Sequence, residues 1–495
     1  MRIRHILGAF LVLQLIALTA FPIFSDEAIY IRWAKLAVSE PVKYAFLPML
    51  DGKPPLHVWS LIPFVQAFAD PLFGARLFSV LVGCVTAVGM LKLAALLGGN
   101  RKQQALALVL TLVTPYWLFH HRMAVTEGFL VFWLVLAMVS GLRLLRSPTV
   151  VWKHVAVFAI AVAGSLWTKT TALFFIPMLA LLPALVWSVE KGKRALFSVY
   201  LDKKTYLLAT AGFIGCLGFL ALRLSPLFPF LFSRSVDYTF TVQELLAGEW
   251  KYVLFASLPK IMWWVTWYMS PFLMLAAVRP EKRTGVLWLM AAVYAAPIIL
   301  TGRVVTARYI FPVAVPLTIA AALGLGAIME KGSKILGRVI LWGFIVHAAV
   351  FGFLLFALPD YSLLTHEDKH QYLLEWSSGH GIAQIVGRVK DDLKLHPVIV
   401  ATEGYFGTLP DGIWIYFANY KGPNSVEVYG IGQPITEIPV SLQQRVVKDT
   451  IVYLVVNQSR FFDTNTDKYE VVGTYPRPYG APPLLLLKVS KVKVQ

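Results

Sequence analysis

Charge is scarce in this sequence, and cysteine is nearly absent. Only 15% of the 495 residues are Asp, Glu, Lys or Arg, against about 25% in an ordinary soluble domain, so a water-soluble globular protein of this length is excluded. The two cysteines, Cys84 and Cys216, both fall inside long apolar runs, so neither points to a disulfide or a thiolate metal site. His366, His370, His380 and His396 lack the spacing of metal ligands and read as surface or packing residues. The short stretches "EGYFG" and "GIGQ" are too brief to be phosphate loops. Acids are the scarcer sign, 27 against 45 Lys and Arg, for a net charge of +18.

What is abundant is apolar sequence. Hydrophobic residues make up 58% of the chain and the mean hydropathy is +0.66. Runs long enough to span a bilayer fall near 6–24, 74–97, 103–119, 125–145, 152–168, 171–189, 205–224, 260–278, 286–301, 309–328 and 336–358. They predict a polytopic α-helical membrane protein of about eleven spans. The first run follows a basic "MRIRH", but its core is long and no A-x-A site follows, so it reads as a retained helix.

The positive charge has a topological explanation. With the N-terminus inside, the loops "GGNRK", "RLLRSPTVVWK", "EKGKRALFSVYLDKK", "RPEKR" and "EKGSKILGR" all fall on the inner side, as the positive-inside rule expects. The basicity therefore does not indicate nucleic-acid binding. The same orientation places "SDEAIYIRWAKLAVSE", "HHRMAVTEG", "WTKTT" and "TGRVVTARY" outside. An odd number of spans puts the C-terminal region there too. From about Pro359 polar helical sequence and then the strand-like runs "HPVIVATEG", "IWIYFANY", "SVEVYGIG", "TIVYLVVN", "YEVVGTYPR" and "LLLLKV" predict a soluble α/β domain. The expected division is a transmembrane domain over 1–358 and an extracytoplasmic α/β domain over 359–495.

Ionisable residues gather on the outer side. Asp26, Glu27, Lys53, Arg122, Glu127, Lys169, Arg303 and Arg308 all stand at or just beyond the outer ends of spans that are distant in sequence. Taken singly, each Lys or Arg could be a snorkelling interfacial residue. Together they read as a polar site at the lipid boundary, where ionisable groups are costly and usually functional. Lys169 fits snorkelling poorly, because "SLWTKTTALFF" leaves little room for a solvated loop. In the first outer loop, Ile29, Trp33, Leu36 and Ala37 recur at helical spacing, predicting an amphipathic helix in the interface. A second begins after the prolines of "GKPPLHVW". The cluster "PKIMWWVTWYMSPF" reads either as an interfacial aromatic belt or as a surface for a sugar or a prenyl chain.

The ordered segments "DEAIYIRWAKLAV", "GKPPLHVW", "ARLFSVLVG", "HRMAVTEGFLVFW", "GSLWTKTTALFFIP" and "ARYIFPVAVPLTIAAALG" resemble the lipid-dependent glycosyltransferases of the GT-C superfamily. They are most similar to the protein O-mannosyltransferase-like group that includes the aminoarabinose transferases of lipid A. The resemblance spans about the first 330 residues. It implies a sugar donor on a polyprenyl phosphate, a site on the outer membrane face, and transfer to an extracytoplasmic lipid, glycan or protein. It also implies that Asp26 is the catalytic acid residue, with Glu27 its neighbour and Glu127 a second acid. On the same basis Lys53, Lys169, Arg308 and Tyr309, with Arg122, would meet the donor phosphate. Two positions depart from the aminoarabinose transferases: Ile29 stands in place of an arginine, and Gly52 in place of an acid that could help hold a divalent cation.

The chemistry expected of these residues follows from the donor. A sugar phosphodiester carries a leaving group that departs as an anion and needs fixed positive charge rather than a proton. A hydroxyl acceptor then needs a carboxylate base, for which Asp26 is the first choice, with Glu27 or Glu127 orienting the acceptor or a cation. Direct displacement inverts the anomeric centre. A transporter or lipid flippase is the competing class, but it commonly shows repeated halves and mid-membrane helix breaks. No internal repeat is evident here, and the charges collect at one face. A receptor with an outer ligand-binding domain would leave the polar cluster unexplained.

Overall fold

The computed structural model describes residues 3–190 and 195–491. Lys191, Lys193 and Arg194 of the inner-loop reading lie outside the described residues, as does Arg2. The chain forms two compact units. One holds the chain up to Ile16, Ala45–Ser60 and Leu77–Leu354; the other holds Ala17–Tyr44, Leu61–Arg76 and everything from Leu355 onward.

The first unit is helical. Among the described residues, seven helices are long and apolar enough to cross a bilayer: Pro71–Leu96, Thr126–Arg146, Thr170–Val189, Lys203–Leu224, Lys282–Thr301, Ala307–Glu330 and Lys334–Ala357. The other four expected spans are shorter or interrupted, so a count of eleven is not established by length. Helix α1, Ile3–Leu15, has 13 residues, and Trp152–Thr168 has 17. The run at 103–119 is divided into Arg101–Val113 and Pro115–His120. Its break falls at Thr114 (φ −64°, ψ 136°), because the residue before a proline is driven out of the helical region. The run at 260–278 divides at Ser270, whose φ of +72° precedes Pro271. The apolar window of Ala307–Glu330 is entirely buried and forms the centre of this unit, whereas Lys203–Leu224 buries only 28% of its apolar window and presents the rest outward. Gly324 lets the central helix approach Pro271–Ala277: a Cβ there would come within 2.0 Å of the Ala276 carbonyl oxygen.

The aromatic cluster divides between two faces of Leu258–Met269. Trp264 and Tyr268 are buried, with Tyr268 stacked on Tyr116 at 5.2 Å, while Trp263 is exposed and stacks on Trp267 at 5.4 Å.

In the second unit the expected first-loop helix is present as α2, Ser25–Ser39. It is more enclosed than an amphipathic helix floating in the interface. Ala28, Ile29, Tyr30, Ile31, Trp33, Ala34 and Ala37 are all buried. The second expected helix of the loop runs from Leu56 to Ala67, directly after the two prolines.

The C-terminal region contains a five-stranded sheet: β1 (Val398–Thr402), β2 (Val426–Gly430), β3 (Ile451–Asn457), β4 (Tyr469–Tyr475) and β5 (Leu484–Val489), in the order β2-β1-β3-β5-β4. β1 pairs in parallel with β2 and β3, while β5 runs antiparallel to both β3 and β4. The interior strand β1 is buried throughout, as its unbroken apolar run requires. One face of the sheet packs Ile399, Leu454, Val456 and Leu487 against Ile435, Ile438 and Leu442.

Two expectations for this region need correction. "IWIYFANY" is not a strand, since Thr408–Trp414 is a helix followed by turns. Its alternating buried Ile413, Ile415 and Phe417 arise from a helix end rather than a pleat. The preceding polar stretch is also not one helix. It is interrupted between Leu374 and Ile382, where Gly381 adopts φ +87°.

Candidate active site

The strongest cluster in the first unit lies around Glu127. This residue opens Thr126–Arg146, and its side chain is only 2% exposed. Lys169 terminates Trp152–Thr168 in extended backbone (φ −159°) and is followed at once by a 3-10 turn, Thr170–Phe174. That tight break delivers the lysine Nζ to Glu127 Oε1 at 2.5 Å. Arg308, in the short turn Ala307–Ile310, places its Nε 3.9 Å from the same oxygen. Tyr309 lies against both cations, with the Lys169 Nζ 4.3 Å and the Arg308 guanidinium 5.3 Å from its ring centre. Four expected residues from three distant segments therefore meet. Their environment combines two cations, one carboxylate and an aromatic face, a set able to receive a phosphate once the carboxylate shares its cations.

Lys53 forms part of a second basic cluster in the same unit. Its Nζ lies 2.9 Å from Asp51 Oδ2, and Arg234 also pairs with Asp51. Gly52, at φ +71°, makes the left-handed turn that lets Asp51 and Lys53 face each other. The acid nearest to Gly52 is Asp51, one residue earlier, and it is engaged by both cations. Asp51 and Arg234 were not anticipated; Asp51 stood two residues from Lys53, whereas nothing near Arg234 signalled its partner 183 positions away.

Arg122 is buried and serves α1. It donates to the Gln14 carbonyl at 2.5 Å and to the Ile16 carbonyl at 3.0 Å, satisfying carbonyl oxygens at and just beyond that helix's C-terminal end.

In the second unit, Asp26 is half-buried in the first turn of α2. Glu27 is fully buried and forms a two-pronged pair with Arg76, at 2.9 and 2.7 Å. It also accepts the Phe24 backbone N–H at 3.0 Å, which caps the helix. Arg76 further donates to the carbonyls of Leu18, Phe21 and Pro22. This arginine lay within the motif "ARLFSVLVG" but was not singled out as a site residue.

Helix α2 has a further partner in Asp411. Arg32 pairs with that carboxylate, which is 3% exposed, and its guanidinium sits 5.0 Å from the Trp414 ring centre. Burial raises the Asp411 carboxyl above the usual carboxylate range, opposed by Arg32 and by the Gly407 N–H. The second unit also holds a cavity of about 730 Å³ lined by Asp70, Asp360, His380, Lys390 and Tyr416, among others. Polar groups there pair with each other: His380 Nε2 meets Asp360 at 2.8 Å, and Asp70 accepts from the Leu72 and Phe73 backbone N–H groups.

Among the described residues, no three His, Cys, Asp or Glu side chains are grouped to hold a metal ion. Glu27 and Glu127, the acids considered for a divalent cation, are each matched to a cation of the chain, so this donor set does not fit one.

Residues 40–196 match the family model of dolichyl-phosphate-mannose-protein mannosyltransferases, a stretch containing Lys53, Arg122, Glu127 and Lys169. The apo structure of ArnT from Cupriavidus metallidurans superposes with a TM-score of 0.57 at 15% identity, covering 98% of this chain and 97% of that one. The fold is that of a GT-C glycosyltransferase. ArnT bound to undecaprenyl phosphate gives the same TM-score at 16% identity, over 97% of this chain and 96% of that one. The oligosaccharyltransferase of Archaeoglobus fulgidus gives 0.47 at 10% identity, over 98% and 73%. No curated protein matches the chain. With this GT-C fold and its apolar helices, the chain is a multi-pass membrane protein.

Proposed function

We propose that this protein is an integral membrane glycosyltransferase that moves a sugar from a polyprenyl-phosphate donor to an extracytoplasmic lipid, glycan or protein. The observation that carries the reading is the meeting of Glu127, Lys169, Arg308 and Tyr309. Such a set is costly to bury and is useful to an anionic lipid headgroup. The matched family and ArnT with undecaprenyl phosphate support the same donor class. The proposed placement is the cell (inner) membrane, with the N-terminus cytoplasmic and with the site and the α/β domain of 359–495 outside.

Asp26 acts as base. It takes the proton of an acceptor hydroxyl as the oxygen attacks the anomeric carbon. The bond from that carbon to the phosphate oxygen breaks on the opposite face, and polyprenyl phosphate leaves with the bonding electrons. The product has inverted configuration. Lys169 and Arg308, together with Lys53, stabilise the charge that grows on the leaving phosphate. Glu127 holds the cations in place, Tyr309 flanks them, and Glu27 orients the first turn of α2 through Arg76. Arg122 supports the bundle through the carbonyls at the end of α1.

Asp26→Asn keeps the side-chain shape but removes the base. Turnover with a panel of undecaprenyl-phosphate pentoses and hexoses, with envelope extract as acceptor, is expected to fall at least ~100-fold. Binding of undecaprenyl phosphate should stay unchanged. Near-normal turnover would show that Asp26 is not the base.

A further inference from the structure

We propose that Arg32 and Asp411 are positioning residues that set the orientation of α2, making the 408–414 helix part of the catalytic apparatus. The inference rests on the reading of Asp26 as base and adds to it a function for the C-terminal region.

Two attachments, well apart along α2, tie it to the residues after 355. The first is at its start. Phe24 and Ser378 form an antiparallel bridge, with Ser25 N–H donating to the Ser377 carbonyl at 3.1 Å and Gly379 N–H to the Ile23 carbonyl at 2.8 Å. Gly379 permits this approach, since a Cβ there would stand 2.6 Å from the Ile23 oxygen. These bonds hold the residues immediately before Asp26.

The second attachment lies six residues beyond Asp26, roughly 9 Å along the axis. Arg32 pairs with Asp411 through one carboxylate oxygen. The other oxygen accepts the Gly407 N–H at 2.7 Å, and Trp414 flanks the guanidinium. The carboxylate is thus aimed from its own backbone, and the arginine is held between it and an indole.

Fixing a helix at two separated points determines both its axis and its rotation. A single attachment would leave the first turn free to pivot. Net stability is a poor explanation for this pair, because a buried ion pair usually gains little over apolar residues of the same volume. Directional bonds instead define where Asp26 stands. Misplacement by about 1 Å costs on the order of a hundredfold in rate.

The test uses the full-length protein in nanodiscs. Arg32→Met and Asp411→Asn are expected to lower kcat about 10- to 100-fold, with KM for the donor and binding of undecaprenyl phosphate changed less than about threefold. Arg32→Lys, which keeps the charge, should recover most of the loss. The double variant Arg32→Met/Asp411→Leu removes both charges, so its melting temperature should return to the parent value while kcat stays low. Recovery of kcat in the double variant would overturn the proposal, as would single variants with parental kcat. Asp26→Asn is measured beside them. If it is inactive while the Arg32 and Asp411 variants are fully active, only this inference fails. If Asp26→Asn itself retains turnover, the base assignment is overturned, and this inference with it.

Discussion

Lys169→Met and Glu127→Gln change the charge of one cluster in opposite directions, and their effects on lipid binding should be opposite in sign. Lys169 and Arg308 both face Glu127, so the three side chains sum to one positive charge. Removing the lysine leaves them neutral, and removing the carboxylate leaves two positive charges. A unit charge about 4 Å from a phosphate is worth about 4 kcal/mol at an effective dielectric near 20. Lys169 keeps 18% of its side chain exposed against 2% for Glu127, so water screens part of that interaction. The range of a charge-assisted hydrogen bond, about 1.5–3 kcal/mol, is the better figure. It corresponds to roughly tenfold to 150-fold in Kd. Lys169→Met should weaken undecaprenyl phosphate binding by that factor and slow transfer. Glu127→Gln should tighten binding of the released lipid phosphate and lower kcat by delaying its departure. The assay is equilibrium binding of undecaprenyl phosphate to purified protein in nanodiscs, with melting temperature confirming the fold. Lys203→Met, outside both basic clusters, is the control and should change nothing. If both cluster variants shifted Kd in the same direction, or neither shifted it, the charge argument would be refuted.

Other consequences are separable. Glu27→Gln or Arg76→Met leaves one buried charge unpaired, so either should destabilise the fold by about 3–5 kcal/mol; an unchanged melting temperature would show the pair to be dispensable. His380 has its pKa lowered by burial, partly offset by Asp360. A depressed value means that its contribution to stability is present above its ordinary pKa of 6.5 and is lost as pH falls through the lower folded value. Melting temperature should therefore decline as pH falls below 6.5, and His380→Gln should flatten that decline. For topology, single cysteines replacing Glu40 and Lys394 in a background lacking Cys84 and Cys216 should react with an impermeant maleimide in intact cells. A cysteine at Ser198 should react only after permeabilisation; labelling of position 198 from outside, with positions 40 and 394 protected, would invert the proposed orientation.

Much of this architecture was legible because it depends on local chemistry. The apolar runs had to become membrane helices, since backbone polar groups in lipid must bond within their own segment. The tightness of "WTKTT" was readable from the lack of polar residues around it, and Lys169 does end one helix and abut the next turn. Apolar strand runs likewise announced β1 and β3. Helix interruptions were partly readable from Pro115 and Pro271, although the long apolar runs masked their effect. Pairings were a different matter. Glu27 with Arg76 spans 49 positions, Asp51 with Arg234 spans 183, and Arg32 with Asp411 spans 379. A carboxylate in a sequence carries no mark of which cation it will meet, so nothing near Glu27 pointed to Arg76. Folding gave the two adjacent acids different surroundings: successive helical residues point about 100° apart, which left Asp26 half-buried and sent Glu27 into the interior against Arg76. The sequence alone therefore determined which residue types stand at the helix ends, because hydropathy and turn chemistry act over a few residues. Tertiary structure decided which of those charges are neutralised by one another, because burial makes an unpaired ion costly and forces each to find a partner from elsewhere in the chain.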